Sequence, residues 1–257
     1  LTWPFLWDSP SFHFFEAVQV MRDFPYNAEV RFMGDNIAPS NLPWYYILFL
    51  IAVQLTEPAV VLAVIGIGAV LFVSTGNRLD DSYVLLLWFF LPLGLQILLG
   101  SNVYDNFRQF LFVLPPLFVL AGIGLEALMS RIPQFFAKLL LTAFCVLPSL
   151  VGIISLHPYQ YIYYNSFIGG LPGAEGDYEL DYWLTSYREA GEYVNQAASP
   201  DANILAWGSG YNGARGDLTI YSFSSDDDIS ATGETFEYAV ITTRFFSHLG
   251  VLNDALV

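Results

Sequence analysis

The sequence predicts an α-helical multi-pass membrane protein, with about four spans plus an interfacial helix, that carries a small α/β extracytoplasmic C-terminal domain. Hydrophobic residues make up 55% of the 257 residues, charged residues make up 13%, and the mean hydropathy is +0.49. A soluble domain averages about 25% charged residues, so a lipid bilayer is the better solvent for much of this chain. The apolar residues also form long uncharged runs, and these runs stop near residue 157.

The first segment, 1–43, is predicted to be extracytoplasmic and interfacial. Apolar residues recur at near-helical spacing from 12 to 21, which is typical of an amphipathic helix at a membrane surface. The alternation over 28–32, followed by turn residues at 34–36, predicts a small hairpin. The chain begins without a basic n-region and an apolar run, and we expect it to be a fragment of a longer protein.

The transmembrane region is predicted to cover 44–156, with spans near 57–73, 82–100, 109–128 and 138–156. Crossing roughly 30 Å of hydrocarbon takes about 17 to 25 helical residues. The first span reaches this length if the proline-containing stretch 55–58 forms its first turn. The apolar stretch 44–53 is too short to cross, so we interpret it as an interfacial or re-entrant helix; a fifth span there would place the N-terminal segment inside.

Basic residues predict the orientation of these spans. Arg78, Arg131 and Lys138 lie in two short loops, 74–81 and 129–138, whereas the other basic residues are spread over much longer segments. Because cytoplasmic loops are enriched in Lys and Arg, we place both short loops in the cytoplasm and both termini outside. The predicted location is the plasma membrane.

The tail, 157–257, is predicted to form an extracytoplasmic soluble α/β domain. A helix is expected over 182–198, and short strands are expected at 203–207, 218–223 and 237–243. More than half of the acidic residues lie in this tail, and the whole chain has a net charge of −15. Phosphate-backbone binding needs clustered basic side chains, so we expect no nucleic acid partner.

Three motifs in the tail match known ligand-binding patterns, but none of them is interpreted as a binding site. The stretch 208–213 matches G-x-G-x-x-G, but a strand follows it in place of a helix, so we expect no dinucleotide. The adhesion tripeptide 215–217 is interpreted as chance. The acidic run 226–228 is interpreted as a solvated loop, since hard cations need about six or more spaced oxygen ligands. With three histidines and the lone Cys145, no cofactor is identified and a divalent metal is not supported by this chain.

The short outer loop 101–108 carries the most informative charges. Asp105 and Arg108 stand at i and i+3 at the mouth of two spans, where charges are costly unless they are paired or useful. They fit an interfacial ion pair, with Arg108 reaching towards the headgroups. They also fit a phosphate clamp, because a guanidinium binds phosphate oxygens with a planar fork. Both interpretations stay open.

LPWYY lies at 42–46, YDNFRQFLF lies at 104–112 with Pro115-Pro116 after it, and HPYQYIYYN lies at 157–165. Together these three stretches resemble the C-terminal half of GT-C membrane glycosyltransferases, the class of the protein O-mannosyltransferases. The third stretch also fits a plain aromatic belt at the membrane surface. In the family the arginine is often followed by histidine, whereas Gln109 stands here.

The resemblance implies an inverting transfer of a sugar from a polyprenyl phosphate to an acceptor on the extracytoplasmic face. It implies the polyprenyl-phosphate donor and membrane lipids as partners. The substrate-binding residues expected from the motifs are Tyr45, Tyr104, Asp105, Arg108, His157 and Tyr159. Catalytic residues stay unassigned, because the family's catalytic aspartate lies in a loop that would precede Leu1. The alternative is a non-catalytic membrane protein, such as a transporter subunit, an export scaffold or a sensor, although missing mid-span charges count against a transporter.

Overall fold

The computed structural model of the chain describes residues 4–22, 29–72, 79–207, 214–223 and 234–241. Its contacts divide the chain into two compact units. The first unit comprises Leu1–Val30 and Ile37–Gly173, and the second comprises Arg31–Asn36 and Ala174–Val257.

The first unit is built of helices. They are α1 (Pro10–Arg22), α2 (Tyr46–Gln54), α3 (Glu57–Phe72), α4 (Leu79–Leu99), α5 (Leu114–Met129), α6 (Phe135–Ser155) and the short α7 (Gly170–Ala174), which reaches the unit boundary. A six-residue 3-10 segment, Arg108–Val113, leads directly into α5. The expected helix in the N-terminal segment is confirmed as α1, and the expected short helix near 44–53 is confirmed as α2.

Three of the described helical segments are long and apolar enough to cross a membrane. They are Ser82–Leu99, Arg108–Met129 and Phe135–Ser155. These segments correspond to three of the four predicted spans. The remaining predicted span, 57–73, corresponds to α3, which has 16 residues and is therefore about 24 Å long at 1.5 Å per residue.

Two glycines let α3 and α5 touch backbone to backbone. A Cβ atom placed on Gly66 would lie 1.8 Å from the carbonyl oxygen of Leu120. A Cβ atom on Gly124 would lie 2.1 Å from the carbonyl oxygen of Leu62. Small residues of this kind allow the close helix packing that is common in membranes, where no hydrophobic effect drives helices together.

The two helices also run in the same direction. Ala59, early in α3, shares a cavity with Phe118, early in α5. Ala69, late in α3, shares a second cavity with Ala127 and Arg131 at the end of α5. The two helices are therefore parallel, so α3 would run in the same direction as α5 across a bilayer.

The second unit contains a three-stranded parallel sheet beside one helix. Its elements are α8 (Tyr187–Ala197), β3 (Asn203–Trp207), β4 (Thr219–Phe223) and β5 (Tyr238–Val240), and the strand order is β4-β3-β5. Val194 of α8 packs with Ile204, Ala206 and Val240 in the core. The three expected strands and the small α/β character of the tail are therefore confirmed.

The expected hairpin in the N-terminal segment is confirmed, but its turn was expected at 34–36, and residues 35 and 36 lie in its second strand instead. Residues 31–36 of the hairpin belong to the second unit. Strands β1 (Val30–Phe32) and β2 (Asp35–Ile37) pair through a turn at Met33 and Gly34, whose φ angles are 53° and 85°. Arg31 Nε donates to the carbonyl oxygen of Gly176 at 2.6 Å, and the backbone N–H of Gly34 donates to that of Asp177 at 3.1 Å. Residues 31–36 are thus tied to the start of the tail.

Arg215, the first residue of the adhesion tripeptide, closes the C-terminal end of α8. Its Nη1 donates to the carbonyl oxygen of Asn195 at 2.7 Å, and its Nη2 donates to that of Ala198 at 3.0 Å. Its Nε donates to Asp217 Oδ1 at 2.6 Å, and this hydrogen bond holds the pKa of the Asp217 carboxyl below its ordinary value. Basic side chains commonly satisfy the last carbonyls of a helix, so this arginine has a structural role. The motifs at 208–213 and 226–228 lie outside the described residues.

Candidate functional site

The loop 101–108 joins α4 to the segment that leads into α5. Asp105 and Asn106 both adopt left-handed backbone conformations, with φ angles of 55° and 58°. Asp and Asn tolerate this region better than other non-glycine residues, yet each such residue costs of order 1 kcal/mol or more. These two residues lie in the turn just before Arg108, and the carboxylate of Asp105 lies beside the Arg108 guanidinium.

Asp105 and Arg108 form an ion pair at this turn. Arg108 Nη2 lies 2.8 Å from Asp105 Oδ2, and the two side chains are 28% and 7% exposed, respectively. A charge-assisted hydrogen bond of this length is strong, and removing one partner of a buried pair costs about 3–5 kcal/mol. The first of the two open interpretations of this loop, the ion pair, is therefore seen directly.

Tyr104 completes this group of three residues. The guanidinium carbon of Arg108 lies 5.3 Å from the centroid of the Tyr104 ring, within the range of a cation–π interaction. The carboxylate and the ring together fix the orientation of the guanidinium. Because a guanidinium carries five N–H donors in a planar fork, it can contact a carboxylate and a phosphate at the same time.

His157 and Tyr159 lie where the chain leaves α6. The His157–Pro158 peptide bond is cis, and His157 is exposed. Its Nδ1 lies 3.0 Å from the Nε2 of Gln160, which also donates to the carbonyl oxygen of Ile153 at 3.2 Å. The backbone N–H of Tyr159 donates to the carbonyl oxygen of Leu156. These contacts tie both predicted site residues to the end of α6, and a pocket shared with Arg108 stays a prediction.

Tyr45 stands just before α2 and packs against Trp44. The two rings are perpendicular, with centroids 5.7 Å apart, and the two residues are 37% and 65% exposed, respectively. Exposed aromatic pairs of this kind are typical of the membrane–water interface. An interfacial location of α2 and a role for Tyr45 in substrate binding stay predictions.

Sequence reasoning missed the role of Asn165, which is only 1% exposed. Its Nδ2 donates to the carbonyl oxygens of Ala52 and Leu55 at 2.8 and 2.7 Å, and its backbone N–H donates to that of Val53 at 2.8 Å. Asn165 therefore satisfies the carbonyl groups that the end of α2 leaves open. The one signal in the sequence was a polar amide after a run of tyrosines. This signal does not predict hydrogen-bond partners that are 110 or more residues away.

Ser166 and Glu57 extend this connection to the next helix. The backbone N–H of Ser166 donates to Glu57 Oε1 at 2.7 Å, at the first residue of α3. The segment that follows α6 is therefore bound to both sides of the break between α2 and α3.

No described group of three or more His, Cys, Asp or Glu side chains is placed to hold a metal ion. Comparisons of the sequence with protein-family models, with curated proteins and with solved structures found no match.

Proposed function

We propose that this chain is part of a membrane glycosyltransferase that transfers a sugar from a polyprenyl-phosphate donor to an acceptor on the extracytoplasmic face. One observation carries the proposal. A partly exposed guanidinium, that of Arg108, is held in place by the buried Asp105 at the start of a 22-residue apolar segment. A cation at that position lies at the depth of lipid phosphates if the segment crosses the bilayer.

The chemistry of the donor matches this arrangement. A polyprenyl phosphate leaves as an already acidic anion, so the transfer needs no general acid for the leaving group. It needs positive charge where the phosphate charge develops and a base for the acceptor. Arg108 supplies the positive charge, and Tyr104 and Asp105 fix its orientation. Tyr45, His157 and Tyr159 are proposed to contact the sugar or the acceptor, and the base is not assigned to a residue of this chain.

The proposed topology has four spans, with α3 as the first. Its support is that α3 runs beside α5 in the same direction, with Gly66 and Gly124 in contact. In addition, Ser166, which follows α6, binds Glu57 at the start of α3. In this topology the end of α6 and the start of α3 lie on the same side of the membrane. The basic residues Arg78, Arg131 and Lys138 favour a cytoplasmic location for the loops 74–81 and 129–138. The tail is then extracytoplasmic, in a plasma membrane protein.

A binding assay on the purified chain tests the proposal. Detergent-solubilised protein is titrated with undecaprenyl phosphate and, separately, with undecaprenol, and binding is followed by tryptophan fluorescence. Hydrogen bonds to charged groups contribute about 1.5–3 kcal/mol, so Arg108→Ala should weaken phosphate binding by about 10-fold or more. Arg108→Lys should weaken it less, because Lys keeps the charge but lacks the fork. Binding of undecaprenol should not change.

Arg188→Ala is the matched control, since Arg188 is 86% exposed and pairs with Glu192 on α8. It removes the same charge and should leave phosphate binding unchanged. If Arg108→Ala binds undecaprenyl phosphate as tightly as the unaltered chain does, the clamp is wrong. If Asp105→Asn and Arg108→Gln instead lower the stability equally and leave phosphate binding per folded molecule intact, the ion pair is purely structural.

A further inference from the structure

An open cavity of about 420 Å³ lies between α3, α5 and α6. Most of its lining is apolar and includes Ala59, Leu62, Phe118, Leu125 and Ile153. Phe118 and Ile153 are about half exposed, so the cavity is open along the flank of the helices. In a bilayer, that flank faces lipid.

The polar groups of the cavity are gathered at one end. Gln54 and Thr56 come from the break between α2 and α3, and Gln160 and Tyr163 come from the segment after α6. Burial, followed by the negative charge of Glu57, raises the pKa of the Tyr163 hydroxyl, so it stays a neutral hydrogen-bonding group. A cavity with a polar end and an apolar body matches an amphipathic ligand.

We propose that this cavity binds one acyl chain of a membrane phospholipid, with the ester group of the lipid at the polar end of the cavity. The volume supports a single chain. At about 30 Å³ for a group of the size of water or a methylene, 420 Å³ corresponds to about 14 such groups. A polyprenyl chain is several times longer and would extend well beyond this volume. The site is separate from the phosphate clamp at Arg108, and it stands whether or not that clamp exists.

Photocrosslinking in vesicles tests the site. The chain is reconstituted in phosphatidylcholine vesicles that contain a phosphatidylcholine with a diazirine on one acyl chain, and mass spectrometry locates the crosslinks. Gly122 lines the cavity, and a Cβ atom there would meet nothing within 4 Å, so Gly122→Phe fills space without a backbone clash. Gly94 of α4 has equally open surroundings but is not part of the cavity lining.

Crosslinks to the cavity-lining residues should fall by about 10-fold or more in Gly122→Phe, and they should persist in Gly94→Phe. Crosslinks that spread evenly over the exposed residues of α4 and α6, with no response to Gly122→Phe, would overturn the proposal. Loss of the crosslinks on adding an equimolar amount of undecaprenyl phosphate would also overturn it, because the occupant would then be an isoprenoid chain.

A second measurement needs no variant. Cys145 is the one cysteine of the chain and lines the same cavity. Its reaction with a maleimide in detergent should slow when dioleoyl phosphatidylcholine is added to the delipidated protein, because a bound chain covers the thiol. An unchanged reaction rate would count against the site even if Gly122→Phe failed to fold.

Discussion

Replacing Gly66 by alanine should force α3 and α5 apart. The new Cβ atom would lie 1.8 Å from the carbonyl oxygen of Leu120 and 3.0 Å from the backbone nitrogen of Gly124. Both are backbone atoms of α5, so no side-chain rotation can relieve the overlap. A carbon and an oxygen need more than 3 Å, so the two helices must separate by roughly 1 Å.

The cost follows from that separation. A gap of about 0.5–1 Å already forfeits a quarter to a half of the dispersion energy of each contact, and the loss applies along the whole interface. Overpacking of this kind costs about 1–3 kcal/mol. Alanine returns about 1 kcal/mol of helix propensity, so Gly66→Ala should lower the free energy of unfolding by up to about 2 kcal/mol.

Gly68 provides the matched control on the same helix. A Cβ atom at Gly68 meets nothing within 4 Å, so Gly68→Ala gains helix propensity without a clash and should be neutral or stabilising. Unfolding of the purified chain in mixed micelles, titrated with sodium dodecyl sulfate and followed by circular dichroism, measures both variants. If Gly66→Ala is as stable as Gly68→Ala, the close backbone contact is wrong.

Three further predictions concern the topology, the α2–α3 break and the second unit. In a Cys145→Ser background, Arg131→Cys should resist membrane-impermeant thiol reagents on intact cells, and strong labelling would reverse the orientation. Asn165→Ala leaves carbonyl groups at the end of α2 unpaired and should cost about 2–4 kcal/mol; hydrogen exchange should rise at residues 52–57, and unchanged protection would argue against the connection. Because Arg215 lowers the pKa of Asp217, the pair stabilises the fold above the unfolded carboxyl pKa of 3.8 and loses this effect as pH falls through the folded pKa. The free energy of unfolding of Asp217→Asn, measured as the pH is lowered, should not show this loss. A loss equal to that of the unaltered chain would contradict the prediction.

The sequence predicts the elements whose signal is local. Apolar runs of span length predict Ser82–Leu99, Arg108–Met129 and Phe135–Ser155 to within about three residues at each end, because charges are costly in hydrocarbon and therefore rare within such runs. The strand β3 is found at its predicted bounds, since alternation and flanking turns are also local signals.

The helix in the tail starts five residues later than the sequence predicts, and a local hydrogen-bonded turn explains the difference. It was expected from residue 182, but α8 starts at Tyr187. The carboxylate of Asp181 accepts hydrogen bonds from the backbone N–H groups of Thr185 and Ser186, at 3.0 Å each. Aspartate side chains that bind nearby backbone groups compete with the helix, so a turn forms first.

Contacts between distant segments were not predictable. Asn165 reaches residues more than 100 positions earlier, and Arg31 reaches Gly176 across a separation of 145. Nothing in the spacing of either residue names its partner, because hydrogen bonds between distant segments depend on how the whole chain folds. The same holds for Gly66 and Gly124, whose meeting depends on the direction of two helices separated by α4.

The ion pair of Asp105 and Arg108 is compatible with both interpretations of its loop. The structural pair and the phosphate clamp nevertheless have different requirements for the same two side chains. A structural pair needs only the attraction at 2.8 Å. A phosphate clamp must also tolerate the repulsion between the phosphate and Asp105, which at about 4 Å and an effective dielectric of 20 is of order 4 kcal/mol. The attraction of Arg108 for the phosphate at a similar distance is of the same order. A clamp therefore works only if Asp105 stays behind the guanidinium, on the side away from the ligand. The exposed fractions of the two side chains match this arrangement, since Asp105 is 7% exposed and Arg108 is 28% exposed. The carboxylate is buried, while the guanidinium is accessible to a ligand.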